Sequence, residues 1–449
     1  MPTSPLGSLR ALWEDTFRPG LTRPGFANFV VIAAGWLLTE GTHAVTEALV
    51  ITDVSSRRHH EAFHRFFSRG TWCPDRLGRL VFERLARSLV EGVVRIVLDD
   101  TVAPKKGPHV FGIGSHLDAV RSTTRRKVFT FGHCWVTLAV LVNVPFSSRI
   151  WALPILFRLY RTEKECARRG VAHRKKTELA RDLLDLFCSW VPGRRIELSA
   201  DAAYCNGTIT DGLPDRLVLF GAMRPDAVLT DAPPAVSAPK RGRPSKRGKL
   251  LRKPEQVARD GRTPWLTTEA LLYGRKTTVR FKTFCAQWYR ATGTRMLRIV
   301  IVATDSGAVP YRVFFTFDPK LDVRTILETY AARWGIEVFF REGKQLLGFA
   351  DSQARKEEAV LRVAPLLGLL YSTLVVWFAE GIHTSAIATP PIRPWYTHKR
   401  GLCFADVLRA ARRALSDFEV LVPLSDSRNL HQSKPLRPSL RVSPLRPAA

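Results

Sequence analysis

The sequence is short of acidic residues. Only 40 Asp and Glu accompany 69 Lys and Arg, which leaves a formal net charge of +29 and a pI near 10.5. A solvated surface alone does not account for an excess of this size, so the charge indicates a polyanionic partner. Nucleic acid is the first candidate for that partner, and an anionic membrane surface is the second.

The cysteines also lack a structural pattern. The seven cysteines are scattered, contain no Cys-x-x-Cys pair and form an odd total. This pattern argues against a disulfide framework and a zinc site, and it predicts reduced core cysteines in a cytosolic protein. His59, His60 and His64 approach a metal-binding spacing, but we interpret them as ordinary helix-surface or capping residues.

No hydrophobic run but one is long enough to be a candidate membrane span, and we expect no signal peptide at the start of the chain. The exception is the 17-residue run 363–379, which contains Pro365 and is bounded by Arg362 and Glu380. It is at the short end for a membrane span, so we predict a buried helix. With 449 residues, 45% of them hydrophobic, the chain is large enough for two or three domains with a real core.

One stretch combines an acid, several bases and a phenol at helical spacing, and we predict a helix over residues 323–347. The polar residues follow one stripe: Tyr330, Arg333, Glu337, Arg341 and Lys344. Apolar residues follow the opposite stripe and are available for a core: Leu327, Ala331, Trp334, Val338 and Leu346. The alternative is a plain surface helix with charge pairs four residues apart.

Aspartates follow two predicted strands at the point where each strand ends. A β-branched run over 93–98 ends at Asp99 and Asp100, and the strand 195–200 ends at Asp201. Carboxylates beside buried strands are costly unless a metal or a cation neutralises them. Such aspartates also commonly cap turns, so taken singly they are weak indicators of a site.

The composition changes to Pro, Lys, Arg and Gly over residues 231–262, a stretch that cannot bury enough apolar area to fold alone. At its centre, Arg241-Gly242-Arg243-Pro244 resembles the core of an AT-hook, whose arginines enter the minor groove. A flexible basic loop that contacts phosphates without preference is the alternative. Residues 270–317 then show three strand patterns.

The spacing Tyr330, Arg333, Glu337, Lys344 resembles the Tyr-Arg-Glu-Lys signature of bacterial insertion-sequence transposases of the DDE type. The resemblance implies three metal-binding catalytic acids: Asp99 or Asp100, then Asp201, then Glu337. Neighbours on a strand face opposite ways, so only one of Asp99 and Asp100 should reach the site. Tyr330, Arg333 and Lys344, with Arg341, Arg241 and Arg243 as further candidates, would bind DNA.

The resemblance also implies the cofactor. Hard divalent cations prefer carboxylate oxygens, and two Mg²⁺ ions can activate a nucleophile on one side of phosphorus and stabilise the leaving oxygen on the other. We expect Mn²⁺ to substitute. A DNA hairpin intermediate with a flipped base would need an aromatic platform. The candidates for it are Trp288, Tyr289, Tyr311 and Trp334.

The fold implied is α/β: a ribonuclease-H-like mixed sheet flanked by helices, with a β-rich insertion and an N-terminal helical domain. The predicted divisions are an N-terminal helical, DNA-end-binding domain (1–90), the first part of the catalytic core (91–222), the β-rich insertion (223–320), the core helices with the glutamate (321–380), a C-terminal helical region (381–424) and a disordered basic tail (425–449).

The expected function is cut-and-paste DNA transposition: metal-dependent cleavage at terminal inverted repeats and strand transfer into target DNA. The expected partners are double-stranded DNA and a second copy of the chain, with no membrane, in a bacterial cytoplasm near the nucleoid. One alternative is a catalytically silent DNA-binding protein derived from a transposase. Another is a structure-specific nuclease that cleaves without joining.

Overall fold

The structure is a computed structural model that describes residues 4–54, 58–107, 109–118, 121–123, 125–233, 245–304, 310–392, 394–395 and 401–416. Within these residues, ten strands form one sheet. Their bounds are Val94–Pro104 (β1), Gly114–Leu117 (β2), Phe129–Val144 (β3), Ser147–Tyr160 (β4), Ile196–Ala200 (β5), Leu217–Met223 (β6), Leu266–Leu272 (β7), Arg275–Gln287 (β8), Met296–Ala303 (β9) and Tyr311–Thr316 (β10).

The centre of the sheet has the order β4-β3-β1-β5-β6. β3 pairs antiparallel with both β4 and β1, whereas β1, β5 and β6 run parallel to one another. Three antiparallel strands followed by two parallel ones are the arrangement expected of a ribonuclease-H-like core. The predicted fold class is confirmed: a large mixed sheet flanked by helices.

The β-rich region after β6 extends the same sheet. β10 pairs antiparallel with β6, and β9, β8 and β7 follow in that order towards the edge of the sheet. After β6 the chain therefore first forms the edge strand β7, and each later strand lies closer to β6. Apolar residues of β6, β8 and β9 pack on a helix to form a second, smaller core cluster within the described residues.

The helices cover both faces of the sheet. They are Pro5–Phe17 (α1), Arg23–Leu38 (α2), Val45–Ile51 (α3), Glu61–Ser68 (α4), Pro74–Leu89 (α5), Glu163–Arg168 (α6), Lys176–Trp190 (α7), Gly207–Thr210 (α8), Pro254–Arg259 (α9), Tyr289–Thr292 (α10), Val323–Ala331 (α11), Trp334–Leu346 (α12), Glu357–Ala379 (α13) and Phe404–Ala414 (α14). The apolar faces of α1, α2, α4 and α5 share one hydrophobic core with β1, β3 and β4. The domain boundaries stay a prediction.

α13 is the predicted buried helix. It is the one helix among the described residues that is long and apolar enough to cross a membrane, and 89% of its most apolar window is buried inside the protein. Ser372 donates a hydrogen bond of 2.8 Å to the Pro154 carbonyl, which fixes α13 on β4. The helix therefore serves as the centre of the core, as its sequence indicated.

Two strand predictions were wrong or incomplete. β1 does not end at Asp99, because its ladder with β3 continues to Pro104; only its parallel pairing with β5 stops, at Leu98. β4 was not predicted, since Pro154 within it removes a ladder donor. The structure accommodates Pro154 at a shift of register against β3.

The predicted helix 323–347 is two helices. Asp322 caps the first by accepting a hydrogen bond from the Thr325 N–H at 2.9 Å. Across the junction the N–H groups of Arg333, Gly335 and Ile336 bond to carbonyls three residues back, which tightens the backbone between α11 and α12. The tightening rotates Trp334 away from the core, so its side chain is 50% exposed and its assignment to the apolar stripe was wrong.

Gly78 fixes α5 on the sheet, and this contact predicts a stability effect. A Cβ at Gly78 would overlap the carbonyl oxygen of Ile155 on β4, so α5 would have to move. We expect Gly78→Ala to lower the free energy of unfolding by about 2 kcal/mol, although alanine favours a helix. Urea denaturation measures the change. Gly41→Ala is the control, since a Cβ there meets nothing within 4 Å; an equal effect of both would contradict the prediction.

Candidate active site

Asp99 and Asp100 lie on opposite faces of the sheet. The register of β1 against β3 places Asp99 opposite Thr137 and Asp100 opposite Val136. Side chains alternate along a strand, so the two carboxylates cannot serve one site. The face of Asp99 carries α12, and the face of Asp100 carries the start of α7.

On its face, Asp99 shares a guanidinium with Glu337. Nη1 of Arg333 donates a 2.6 Å hydrogen bond to Oδ2 of Asp99 and lies 3.5 Å from Oε1 of Glu337. The backbone N–H of Asp100 donates to the other oxygen of Asp99 at 2.8 Å. A strand acid and a helix acid more than two hundred positions apart are thus brought to one cationic nitrogen.

Asp201 approaches the same place from the neighbouring strand. The parallel register pairs Leu98 with Ala200, so Asp99 and Asp201 each follow directly after a paired residue. Oδ1 of Asp201 accepts the Ala202 N–H at 2.7 Å and begins a short 3₁₀ turn. The charges of Asp99, Tyr330 and Asp201 raise the pKa of Arg333, which is consistent with the place that the strand register gives Asp201.

Burial dominates the electrostatics of the cluster. It raises the pKa of Asp99 to about 7, although Arg333 and the Asp100 N–H oppose the shift; Glu337 adds to it. Burial also opposes the charge of Arg333, but Asp99 and its other anionic neighbours raise the pKa of Arg333 above its ordinary value. The guanidinium therefore remains charged and balances a carboxylate that water does not reach well.

Asp100 has its own partners on the other face. The Tyr204 hydroxyl donates to Oδ1 at 2.6 Å, and Nζ of Lys176 and the Cys134 thiol donate to Oδ2 at 2.6 and 3.3 Å. Tyr204 ends the turn that follows Asp201, so Asp100 connects β1 to that turn. Sequence reasoning missed Lys176 and Cys134, which carry no local signal; Tyr204, three residues after Asp201, was the one available clue.

Tyr330 contacts the cluster through Arg333, whose guanidinium carbon lies 5.9 Å from the centre of the Tyr330 ring, and Lys344 lies beside the cluster. Tyr330 packs on Phe314 at 4.6 Å between ring centroids, and burial raises its pKa to about 12. Nζ of Lys344 donates a 2.7 Å hydrogen bond to Oγ1 of Thr101, on the same face as Asp99. Burial lowers the pKa of Lys344, although the charges of Asp118 and Glu337 oppose this.

The other DNA-binding and aromatic candidates lie outside the acid cluster or outside the described residues. Arg341 is exposed on α12, away from the acids' shared cation. Arg241 and Arg243 lie outside the described residues. Among the four aromatic candidates, Tyr311 is buried and Trp334 is half exposed, where its ring meets Tyr273 edge-on at 6.2 Å.

A metal site was predicted here, and the residues fit one in their chemistry. In the part of the chain that the structure describes, no group of three or more His, Cys, Asp or Glu is arranged to hold a metal ion. A guanidinium nitrogen instead holds a cation's position between Asp99 and Glu337, with Asp201 acting on it. Carboxylates from separate elements that already bind one cation are the donors that a hard divalent ion requires.

The raised pKa of Asp99 predicts a pH dependence of stability. Because its folded pKa is about 7 and its ordinary value is 3.8, the folded state binds the proton more tightly. In EDTA, the stability of the wild type relative to Asp99→Asn should fall from about pH 4 to 7, by up to about 1.4 kcal/mol per pH unit, and then level off. Urea titrations at several pH values measure it.

The control for that titration is Asp226→Asn. A hydrogen bond from Arg224 lowers the pKa of this exposed carboxyl, so its contribution should be present at neutral pH and lost in acid, the opposite sign. A wild-type curve parallel to that of Asp99→Asn between pH 5 and 7 would show that Asp99 is already ionised there.

Comparison with known proteins places the chain in a family. The cryo-EM structure of a piggyBac transposase synaptic complex with hairpin DNA is similar, with a TM-score of 0.45 and 9% sequence identity, covering 95% of this chain and 83% of that chain. A search of curated proteins gives no match. A sequence profile described as DDE superfamily endonuclease matches residues 16–284, more than half of the chain and inclusive of Asp99, Asp100 and Asp201. The chain therefore belongs to the DDE superfamily of endonucleases.

Proposed function

We propose that the chain is a DNA transposase of the branch with the Tyr-Arg-Glu-Lys signature, which cleaves at terminal inverted repeats and transfers the strands to target DNA. The observation that carries the proposal is the shared nitrogen of Arg333 between Asp99 and Glu337. Membership of the DDE endonucleases supports it, and so does the net charge of +29.

Within this proposal, Asp99, Asp201 and Glu337 are the metal-binding acids, and Asp100 is not. Oδ1 and Oδ2 of Asp100 already accept hydrogen bonds from Tyr204 and Lys176 on the opposite face. Asp100 therefore positions the turn that carries Asp201. DDE endonucleases generally use divalent metal ions, and we infer two Mg²⁺ ions here, with Mn²⁺ as a substitute.

When bound, such ions activate the attacking water or 3′-hydroxyl and stabilise the leaving oxygen. The side chains of the protein position the acids and contact the DNA. Asp99 is held in place by the Asp100 N–H, and Glu337 is held by α12. Arg333 exchanges the carboxylate of Asp99 for a DNA phosphate, and Lys344, about three turns further along the same side of the helix, contacts a second phosphate.

The partners follow from this assignment. Double-stranded DNA is the substrate, and a homodimer holds two transposon ends. If a hairpin intermediate forms, the half-exposed Trp334 beside Arg333 is the best placed of the four aromatic candidates to receive a flipped base. The protein would work in the bacterial cytoplasm, associated with the nucleoid.

Arg333 also favours a second candidate, a DNA-binding protein without catalysis. A guanidinium already lies between Asp99 and Glu337 and offsets part of their charge without metal. A third candidate, a structure-specific nuclease, would give cleaved but no joined products. The experiments below separate the three.

The first experiment compares plasmid nicking by the wild type and two acid variants in Mg²⁺ and in Mn²⁺. Asp99→Asn and Glu337→Gln should each lower the nicking rate by about three orders of magnitude or more, because each removes a metal-binding carboxylate. Asp100→Asn should cost only about tenfold, through the position of Asp201. Agarose gels of nicked and joined products measure both cleavage and strand transfer.

Glu83→Gln is the matched control, since Glu83 is a partly exposed acid on α5 that pairs with Arg79. Unchanged nicking in Glu337→Gln would remove this glutamate from the site. A wild type that binds DNA but does not nick in either metal would favour the silent DNA-binding protein.

The second experiment tests the DNA contacts of Arg333 and Lys344. Arg333→Ala and Lys344→Ala should each weaken binding to a duplex and reduce the slope of log affinity against log salt by about one, the loss of one phosphate contact. Fluorescence anisotropy in EDTA, where no cleavage occurs, measures the slope. Arg224→Ala, an exposed arginine paired with Asp226, is the control. A slope equal to that of the wild type would place either residue outside the DNA interface.

A further inference from the structure

A two-stranded arm extends beyond the end of β1. β1 stops at Pro104, opposite Gly132, whereas β3 begins three residues earlier and forms a ladder there with β2. The connection closes on itself through local bonds: the Asp118 carboxylate accepts from the Arg121 N–H at 3.0 Å and from the Thr130 hydroxyl at 3.0 Å. We call the described residues 114–118, 121–123 and 125–131 the β2–β3 arm.

One face of the arm is apolar and open. Phe129, Phe131 and Leu117 are 63%, 48% and 47% exposed, and Leu117 lies directly opposite Phe129 across the pair of strands. Large apolar side chains are seldom left together on a surface without a partner. Three of them on so small a ribbon indicate a contact surface.

The end of the arm is cationic. Its described side chains include four exposed cations: Arg121, Arg125, Arg126 and Lys127. Within the described part of the chain none of these four forms an ion pair, in contrast to the many paired arginines elsewhere. Among the described residues, this end of the arm therefore presents positive charge without a balancing ion pair.

The arm begins beside the acid cluster. Side chains alternate along β3, so Phe129 and Phe131 face the same side of the sheet as Thr137. Thr137 lies opposite Asp99 on β1. The apolar face of the arm therefore continues the sheet face that carries Asp99. At its base, Gly132 pairs with both Gly114 and Pro104, and Pro104 is five residues beyond Asp99 on β1. A strand of DNA that leaves the acids past Lys344 would meet this face.

We propose that the β2–β3 arm binds the duplex next to the cleavage site, with its cations on phosphates and its apolar face against sugars and base edges. A two-stranded ribbon fits a DNA groove, and apolar side chains are used against base steps. A second copy of the chain is a poorer occupant, since a two-fold contact through this patch would bring like cations together. The inference rests on the proposed function, because it assigns a surface to the same DNA.

The test uses the full chain and a fluorescent random-sequence duplex in EDTA. Arg125→Gln with Arg126→Gln should reduce the slope of log affinity against log salt by about two. Phe129→Ser with Phe131→Ser should weaken binding about tenfold at every salt concentration and leave the slope unchanged, since no charge is lost. The control is Arg224→Gln with Arg324→Gln, which removes the same charge from exposed, ion-paired sites.

All three variants should unfold at the temperature of the wild type, because the altered side chains are exposed; this separates lost binding from lost structure. If the wild type binds and nicks DNA but the arm variants bind like the control, the arm proposal fails and the transposase stands. If the phenylalanine variant instead dissociates a dimer in sedimentation and binds DNA normally, the face joins copies of the chain and the proposal is overturned. A wild type that neither binds nor nicks DNA defeats both.

Discussion

The ion cluster of Asp99, Arg333 and Glu337 is the constraint on which the arrangement of this half of the molecule depends. A carboxylate on a central strand is costly to ionise in the interior, and the raised pKa of Asp99 measures that cost. Arg333 offsets it at 2.6 Å, and it can do so only if the junction between α11 and α12 lies directly over β1. Gly335 permits this approach, because a Cβ there would crowd the backbone of Ile150 and Ala152 on β4.

The alternation of side chains along β1 distributes the chemistry between two faces. The side chains of Asp99 and Thr101, two residues apart on β1, face α12. Arg333 and Lys344 donate hydrogen bonds to them there. Asp100 faces α7, and its bonds to Lys176 and Tyr204 connect β1 to the turn after Asp201. Consecutive aspartates that look equivalent in the sequence therefore have different surroundings: one lies among the acids, and the other determines where the next acid is held.

The sequence predicted those features that depend on local periodicity. β5 was located within a residue, and the long apolar run was correctly interpreted as a buried helix. Features that depend on tertiary contact were not predictable: the shift of register that admits Pro154 into β4, the tightened junction before Trp334, and the partners of Asp100, which come from α7 and β3. The choice between Asp99 and Asp100 also needed the register of β1 against β3. The alternation of side chains along a strand says only that the two aspartates face opposite sides of the sheet.

On the proposed function, the place of Arg333 has a consequence for the order of events. A guanidinium held by Asp99 and Glu337 repels a divalent cation that approaches the same oxygens, so metal-free protein disfavours loading. A DNA phosphate offers Arg333 another anionic partner. If Arg333 moves to the phosphate, both carboxylates lose their counter-charge when the substrate arrives. Coupling of this kind is reciprocal: DNA strengthens metal binding by the factor by which metal strengthens DNA binding. The same arginine would therefore stabilise the apo protein and restrict cleavage to the complex.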